Sequence, residues 1–367
     1  MTERRDVAIV GGGAAGLLLG CLLAQRGIDV VVLERRASPS RSSRAIGIHP
    51  PGLRALDAAG VGAAVRAEGH RVRGGIALAG GRQLARLRFD DLIHTLPQHR
   101  TEALLRERLA ALAPGALRQG TEATGVRAAA DGVALETAEG RVDARWVVGA
   151  DGVRSTVREL AGIGVRAHRG TGPYAMADGP DGTGARGIAL LHLERDGIVE
   201  SFPLPGGARR WVARLREPEP AMTAERLQAI LAARLAEPPR LPSDAPASAF
   251  VARQRLATTF ARGPIALIGD AAHEVSPIGG QGMSLGWLDA LELDRAIAAA
   301  AGPDPFAAYA AARRRAALRA MRRAAWNMGM GAPVQPAGRA ARLALARALG
   351  LPPARGALAA AFTMRGL

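Results

Sequence analysis

A glycine-rich turn near the N-terminus constrains this chain more than any other feature. Residues 6–10, Asp-Val-Ala-Ile-Val, read as a buried strand that runs straight into Gly11-Gly12-Gly13-Ala14-Ala15-Gly16. Residues 14–26 then read as a helix, and Asp29-Val-Val-Val-Leu33 as a second strand ending at Glu34. Strand, turn, helix and strand in this order form a dinucleotide-binding unit, which a glycine pattern without that context would not establish. Gly11 permits the tight turn, Gly13 lets backbone N–H groups approach a pyrophosphate, and Gly16 lets helix and strand pack closely. Ala14 and Ala15 open the helix, whose N-terminus adds partial positive charge. Glu34 is placed to accept hydrogen bonds from ribose hydroxyls, with Arg35 beside it as a further contact.

The turn does not distinguish a nicotinamide from a flavin; a second motif far downstream does. Gly263-Pro-Ile-Ala-Leu-Ile-Gly-Asp270-Ala-Ala-His273 is a strand ending on a carboxylate, and Asp270 is placed to hydrogen-bond a ribityl chain. Ser276-Pro277-Ile278-Gly279-Gly280-Gln281-Gly282-Met283-Ser284 follows as a glycine-rich entry into a helix. The N–H groups and dipole of that helix point at developing negative charge, which a reduced flavin carries at N1 and O2. A third motif, Arg145-Trp-Val-Val-Gly-Ala-Asp151-Gly152-Val-Arg154-Ser155, is again a buried strand entering an Asp-Gly turn, then a helix capped near Ser155. His273 reads as structural.

Composition removes several alternatives. All 49 basic residues are arginine and the net charge is +16. Without lysine there is no Schiff-base or pyridoxal-phosphate chemistry and no Walker A loop. The arginines are spread along the chain, and their densest cluster, Arg313 to Arg323, has helical spacing without stacking aromatics. It reads as a solvated helix face, so no nucleic-acid partner is expected. The charge suits an anionic cofactor or an acidic substrate. A single cysteine, Cys21, rules out an internal disulfide and a cysteine-rich metal site, and no metal is expected. Leu18-Leu19-Gly20-Cys21 mimics a lipoprotein cleavage box, but processing there would destroy the glycine turn, so Cys21 reads as a core residue. No apolar run approaches the ~20 residues of a membrane span. A cytoplasmic location without membrane association is expected.

The three motifs in this order resemble the single-component (class A) flavoprotein monooxygenases of the p-hydroxybenzoate hydroxylase family, over roughly residues 5–330. Arg44, in Ser-Ser-Arg44-Ala-Ile-Gly, matches that family's FAD-contacting arginine. Pro97-Gln98-His99-Arg100, opening a helix over Thr101–Ala111, matches its flavin-side glutamine segment. Phe202-Pro-Leu-Pro-Gly-Gly-Ala-Arg-Arg-Trp211 is similar to the strand pair beneath its substrate site. Ser284 departs from the asparagine the family often has there, which weakens one flavin contact. With the sequence running to Leu367, the thioredoxin-like extension of the phenol-hydroxylase branch is not expected.

The resemblance implies an α/β fold: a Rossmann-like FAD domain built from 1–70, 98–165 and 258–330, with an inserted β-sheet substrate domain from 71–97 and 166–257. Residues 331–367 would form a C-terminal helical cap. The expected cofactor contacts include Gly280, Gln281, Gly282, Met283 and Ser284, with Asp151, Gly152 and Gln98. NADPH or NADH would reduce FAD transiently, O2 would react, and a flavin C4a-hydroperoxide would hydroxylate an electron-rich aromatic or polyketide-like small molecule. The protein would be a monomer or homodimer. His49 and His192 are the candidate substrate bases, and Pro277 is placed with the catalytic candidates. A halogenase of this fold needs a lysine and is excluded. An FAD-dependent reductase or dehydrogenase acting on an isoprenoid or another secondary metabolite remains the alternative. A basic binding protein with a degenerate flavin fold is the non-enzyme alternative.

Overall fold

The computed structural model describes residues 3–40, 45–129, 132–278, 280–302 and 304–366. The segment that opens the chain forms the strand Glu3–Val10, in which Val7, Ala8 and Ile9 are wholly buried. Burial on both faces is what a central parallel strand requires, and it explains the unbroken apolar run. Glu3–Val10 pairs in parallel with Val30–Glu34 on one side and Gly140–Gly149 on the other. Leu117–Gln119 and Ile265–Leu267 extend this parallel core at its two ends. An antiparallel hairpin, Ala123–Ala129 with Gly132–Thr137, is attached to Gly140–Gly149.

The register matters for function. Val10 lies opposite Leu33 and Gly149, and Gly149 lies opposite Leu267. The glycine turn, the Asp151-Gly152 turn and the Gly269–Ala271 turn therefore leave the sheet at one edge, the carboxyl ends of neighbouring parallel strands. Ligands of open α/β sheets bind at such edges. Helix Ala14–Gln25 covers the sheet and packs against helices Gln98–Leu112 and Gln281–Ala298. Trp287 Nε1 fixes the last contact by donating to the Ala14 carbonyl at 3.1 Å.

A second eight-stranded sheet runs in the order Ser248–Ala252, Gly172–Pro180, Ala208–Arg214, Val199–Pro203, Ile188–His192, His70–Ala79, Arg82–Thr95, Gly47–Ile48. Its only parallel pair among the described residues is Ile188–His192 with His70–Ala79. Successive side chains alternate between its two faces. Ala175, Ala177, Val199, Trp211 and Ala213 face helix Ala224–Arg234 and form a small core with Leu227 and Leu231. The other face turns toward the first sheet's carboxyl edge. Helices Pro336–Leu349 and Ala354–Phe362 lie against Arg82–Thr95.

One detail of the arginine-rich helix Ala307–Met330 differs from its reading as a solvated face. Arg315, Arg319 and Arg322 are exposed, but Arg313 is buried and bonded to Asp289 at 2.7 Å. Periodicity locates the charged stripe but not the one arginine that turns inward to meet a buried carboxylate. Cys21 is buried as expected, its thiol set toward the Leu105 carbonyl at 3.4 Å, and burial pushes its pKa up to about 12. Among the described residues, no helix is long and apolar enough to cross a membrane.

Candidate active site

One continuous cavity of about 790 Å³ separates the carboxyl edge of the first sheet from the inner face of the second. Its first wall is the glycine turn. Gly11 has φ +114°, and a Cβ there would stand 2.3 Å from the Ala150 carbonyl oxygen. A Cβ at Gly16 would stand 2.0 Å from the Gly11 oxygen, so this glycine serves helix-on-strand packing and does not itself line the cavity. Gly13 differs. A Cβ there would meet only Glu102 Oε1, at 4.0 Å, and the space in front of it belongs to the cavity. Packing does not demand a glycine at 13, whereas close approach of a phosphate to the backbone does. Ala14 and Ala15 line the same wall, and no side chain caps the helix they open.

Glu34 closes the end of this trench. Its carboxylate accepts from Gly12 N at 2.8 Å and from Arg36 Nε at 2.8 Å. Burial opposes its ionisation, but these bonds outweigh burial and hold the carboxyl below its ordinary range. Arg35 and Gln98 also line the cavity, and Gln98 donates to Glu102 Oε1 at 2.9 Å.

The Asp-Gly turn supplies the second wall. Asp151 Oδ2 accepts from Val157 N at 3.1 Å, while its buried Oδ1 has no hydrogen-bond partner among the described residues. Gly152, with φ +80°, borders the cavity beside it. Ser155 caps the following helix by accepting from Arg158 N at 2.9 Å. Arg158 then bridges the Val153 and Ala271 carbonyls at 3.1 and 2.9 Å, joining the second turn to the third.

Asp270 projects into the cavity from the third turn. Protein surrounding the carboxyl raises its pKa to about 6; Glu274 adds to the rise and His273 opposes it. Below this turn lies a buried network. Asp289 accepts from Gly269 N at 3.1 Å, from Arg313 Nε at 2.7 Å, and meets His273 Nε2 at 2.5 Å. Burial works against the charge on Asp289, yet His273 and Arg313 hold its carboxyl below the ordinary range. His273 lies within this buried network, its ring on Asp289, which Arg313 meets from the other side.

Helix Gln281–Ala298 starts at Gly280, whose φ of +66° suits glycine, and no side chain caps its first turn. Gly280, Gly282, Met283 and Pro277 line the cavity, as does His49, whose ring lies against Gly280. Gln281 and Ser284 do not line it. Gln281 donates to the Ala361 carbonyl at 3.4 Å, and Ser284 Oγ accepts from His49 N at 3.1 Å. Ser284 thus ties two helix starts together, in place of the expected flavin contact. Arg44 lies outside the described residues.

His192 is also placed away from the cavity. Its strand neighbours Ala189, Leu191 and Leu193 line the cavity, so His192, one residue out of phase, faces the other way. There, burial and Arg209 push its pKa down to about 4. The expectation of a substrate base at His192 is corrected by this parity.

The inner wall carries residues that sequence reading missed. Met176, Val212, Glu200, Leu191, Ala77 and Ala85 pair across six successive strands and present one row to the cavity. Arg210 lines it as well and is held by Asp178 through two bonds of 2.7 and 2.8 Å. Strand alternation signals such a row, but only the pairing says which parity faces inward.

The open space at Gly13, the orphaned Asp151 oxygen and Asp270 fit the phosphates and hydroxyls of a flavin dinucleotide. The sequence profile of the FAD binding domain family matches residues 4–324. The chain belongs to that family. FAD is the cofactor of this FAD-binding protein. It is 34% identical over 340 residues to the 12-dehydrotetracycline 5-monooxygenase/anhydrotetracycline 6-monooxygenase of Streptomyces rimosus subsp. rimosus, covering 85% of this chain and 67% of that one. It is 32% identical over 307 residues to the rifampicin monooxygenase of Streptomyces venezuelae, covering 80% and 64%. The chain thus spans about two thirds of the length of these relatives. The solved p-nitrophenol 4-monooxygenase of Pseudomonas putida DLL-E4 superposes on the FAD-binding protein with a TM-score of 0.88 at 26% identity, over 99% of both chains.

Proposed function

We propose that this FAD-binding protein is a monooxygenase that uses NAD(P)H and O2 to hydroxylate an electron-rich aromatic or polyketide-like small molecule. The observation that carries the reading is the single cavity that joins the cofactor trench to an apolar sheet face. Bound FAD supplies the redox chemistry, taking electrons from NAD(P)H and activating O2. The chain's own residues bind, orient and exclude water. Arg35, Arg36, Arg154 and Arg253 border the cavity and favour the phosphates of cofactor and reductant. The N-terminus of Gln281–Ala298 favours negative charge on the cofactor ring. Leu191, Val212, Phe202 and Phe250 offer a planar apolar substrate a dry surface next to it. The names of the relatives, which act on tetracycline-type, rifamycin-type and nitrophenolic molecules, support this choice of substrate class. A supply of NAD(P)H accords with a cytoplasmic location.

The test is to purify the holoenzyme and screen phenolic and polyketide-like aromatics for stimulated NAD(P)H oxidation, with product masses determined. A product that gains one oxygen atom is expected. Reduction of a substrate double bond with no oxygen gained would overturn the monooxygenase reading in favour of a reductase of the same fold.

A further inference from the structure

The row that the second sheet presents to the substrate cavity, Met176, Val212, Leu191, Ala77 and Ala85, is apolar apart from one acid. Glu200 is 4% exposed and lies mid-row between Leu191 and Val212. Among the described residues, no donor hydrogen-bonds it and no cation pairs with it. Arg210 lines the same wall, but its charge is met by Asp178. A carboxyl buried in an apolar wall is costly to the fold unless something meets it there. Nothing in the packing of the strand requires one, since Leu191, Val212 and Met176 fill the equivalent positions with apolar side chains.

We infer that Glu200 is the substrate's polar anchor, accepting the hydrogen bond and then the proton of a neutral phenolic or enolic hydroxyl held against this wall. This rests on the monooxygenase reading above and adds the substrate's recognition element. In the step, the substrate O–H bond breaks, the proton moves to a Glu200 carboxylate oxygen, and the electron pair stays on the substrate oxygen. The resulting phenolate is the more electron-rich ring, the form that an electrophilic oxygen transfer needs. Burial pushes the Glu200 pKa up to about 7, which suits a base at neutral pH. The same geometry sets specificity: a substrate carboxylate set against Glu200 would meet an anion, and Arg210 on the same wall is already held by Asp178. The ring end that enters is hydroxylated and uncharged.

The titratable and charged groups around Glu200 leave it this role. Tyr174, on Gly172–Pro180, accepts from Arg214 at 3.1 Å, and burial pushes its own pKa up to about 12, so it stays protonated. Asp178 and Arg210 satisfy each other. Arg209 and His192, on the two flanking strands, belong to the opposite face. The helix Ala307–Met330 brings Trp326, Asn327 and Met330 to the cavity, and the C-terminal helices bring Leu349, Leu358 and Phe362. None of these ionises in the relevant range.

The experiment uses the FAD-loaded protein with 4-nitrophenol and 2-naphthol, whose spectra report their own ionisation, and 4-nitrobenzoate as the anionic comparison. The wild type is expected to bind both phenols, to shift the bound phenols toward the phenolate, and to discriminate against the benzoate by at least tenfold. Glu200→Gln should abolish the phenolate signature and lower phenol-stimulated kcat/KM about 100-fold, while FAD content is unchanged. The acid limb of the kcat/KM profile near pH 7 should disappear, and Glu200→Asp should restore part of it. The inference is overturned if Glu200→Gln matches the wild type in spectrum and pH profile, or if neither phenol binds. Failure of the monooxygenase reading would look different: phenols ionise on the wild type but no product gains oxygen.

Discussion

At the scale of single residues, glycines in one motif do different work, and substitution separates them. Gly13→Ala adds a methyl that meets no protein atom closer than 4.0 Å, so the fold should keep its melting temperature while FAD affinity falls at least tenfold, about 1.4 kcal/mol, by flavin-release titration. Gly16→Ala drives a methyl to 2.0 Å from a carbonyl oxygen and should destabilise the apoprotein itself by about 1–3 kcal/mol in denaturant unfolding. Equal melting losses in both would contradict the assignment of Gly13 to the ligand. Glu200 gives a pH test independent of turnover. Its pKa is about 7 in the fold against an ordinary 4.5, so between those values the folded state holds more protons than the unfolded chain. Stability from this residue is therefore lost as pH rises through that window. Glu200→Gln should leave stability nearly unchanged at pH 4 and raise it at pH 8, by at most about 3 kcal/mol. A side chain that weakens the fold at working pH belongs to the class retained for function.

At the scale of elements, what could be read from the sequence was local. Three strand-to-turn transitions were legible because each is a buried apolar run ending in glycine or Asp-Gly, and the strand register brings all three to one edge. The Ser155 cap was legible for the same reason. The face of a strand was not. His192 and Glu200 sit on neighbouring strands, and which one enters the cavity depends on pairing between segments distant in sequence. The network around His273 was hidden for a related reason. Asp289 and Arg313 lie on two different helices, and only their packing closes the network under Asp270. Asp289→Asn should leave Arg313 buried without its counter-charge and cost about 3–5 kcal/mol, with weakened FAD retention, measured by thermal unfolding of apo- and holoprotein. An unchanged melting temperature would show that the network is not what holds the Gly269–Ala271 turn.

At the scale of the whole molecule, a net charge of +16 surrounds a cleft whose ligands are anionic. NADPH affinity should accordingly fall several-fold between low salt and about 0.15 M ionic strength, in binding titrations, whereas the affinity of an uncharged phenol should barely change. The chain also carries a quiet internal reporter. Cys21 is its only thiol, is sealed in the core between a helix and the Leu105 carbonyl, and is held protonated by its surroundings. There is no lysine to react in its place. A thiol reagent therefore has no target until the layers around the first helix come apart, so the rate of modification at Cys21 clocks the opening of the FAD-binding core. Added FAD should slow that clock, and a substrate that fills the other end of the shared cavity should slow it again.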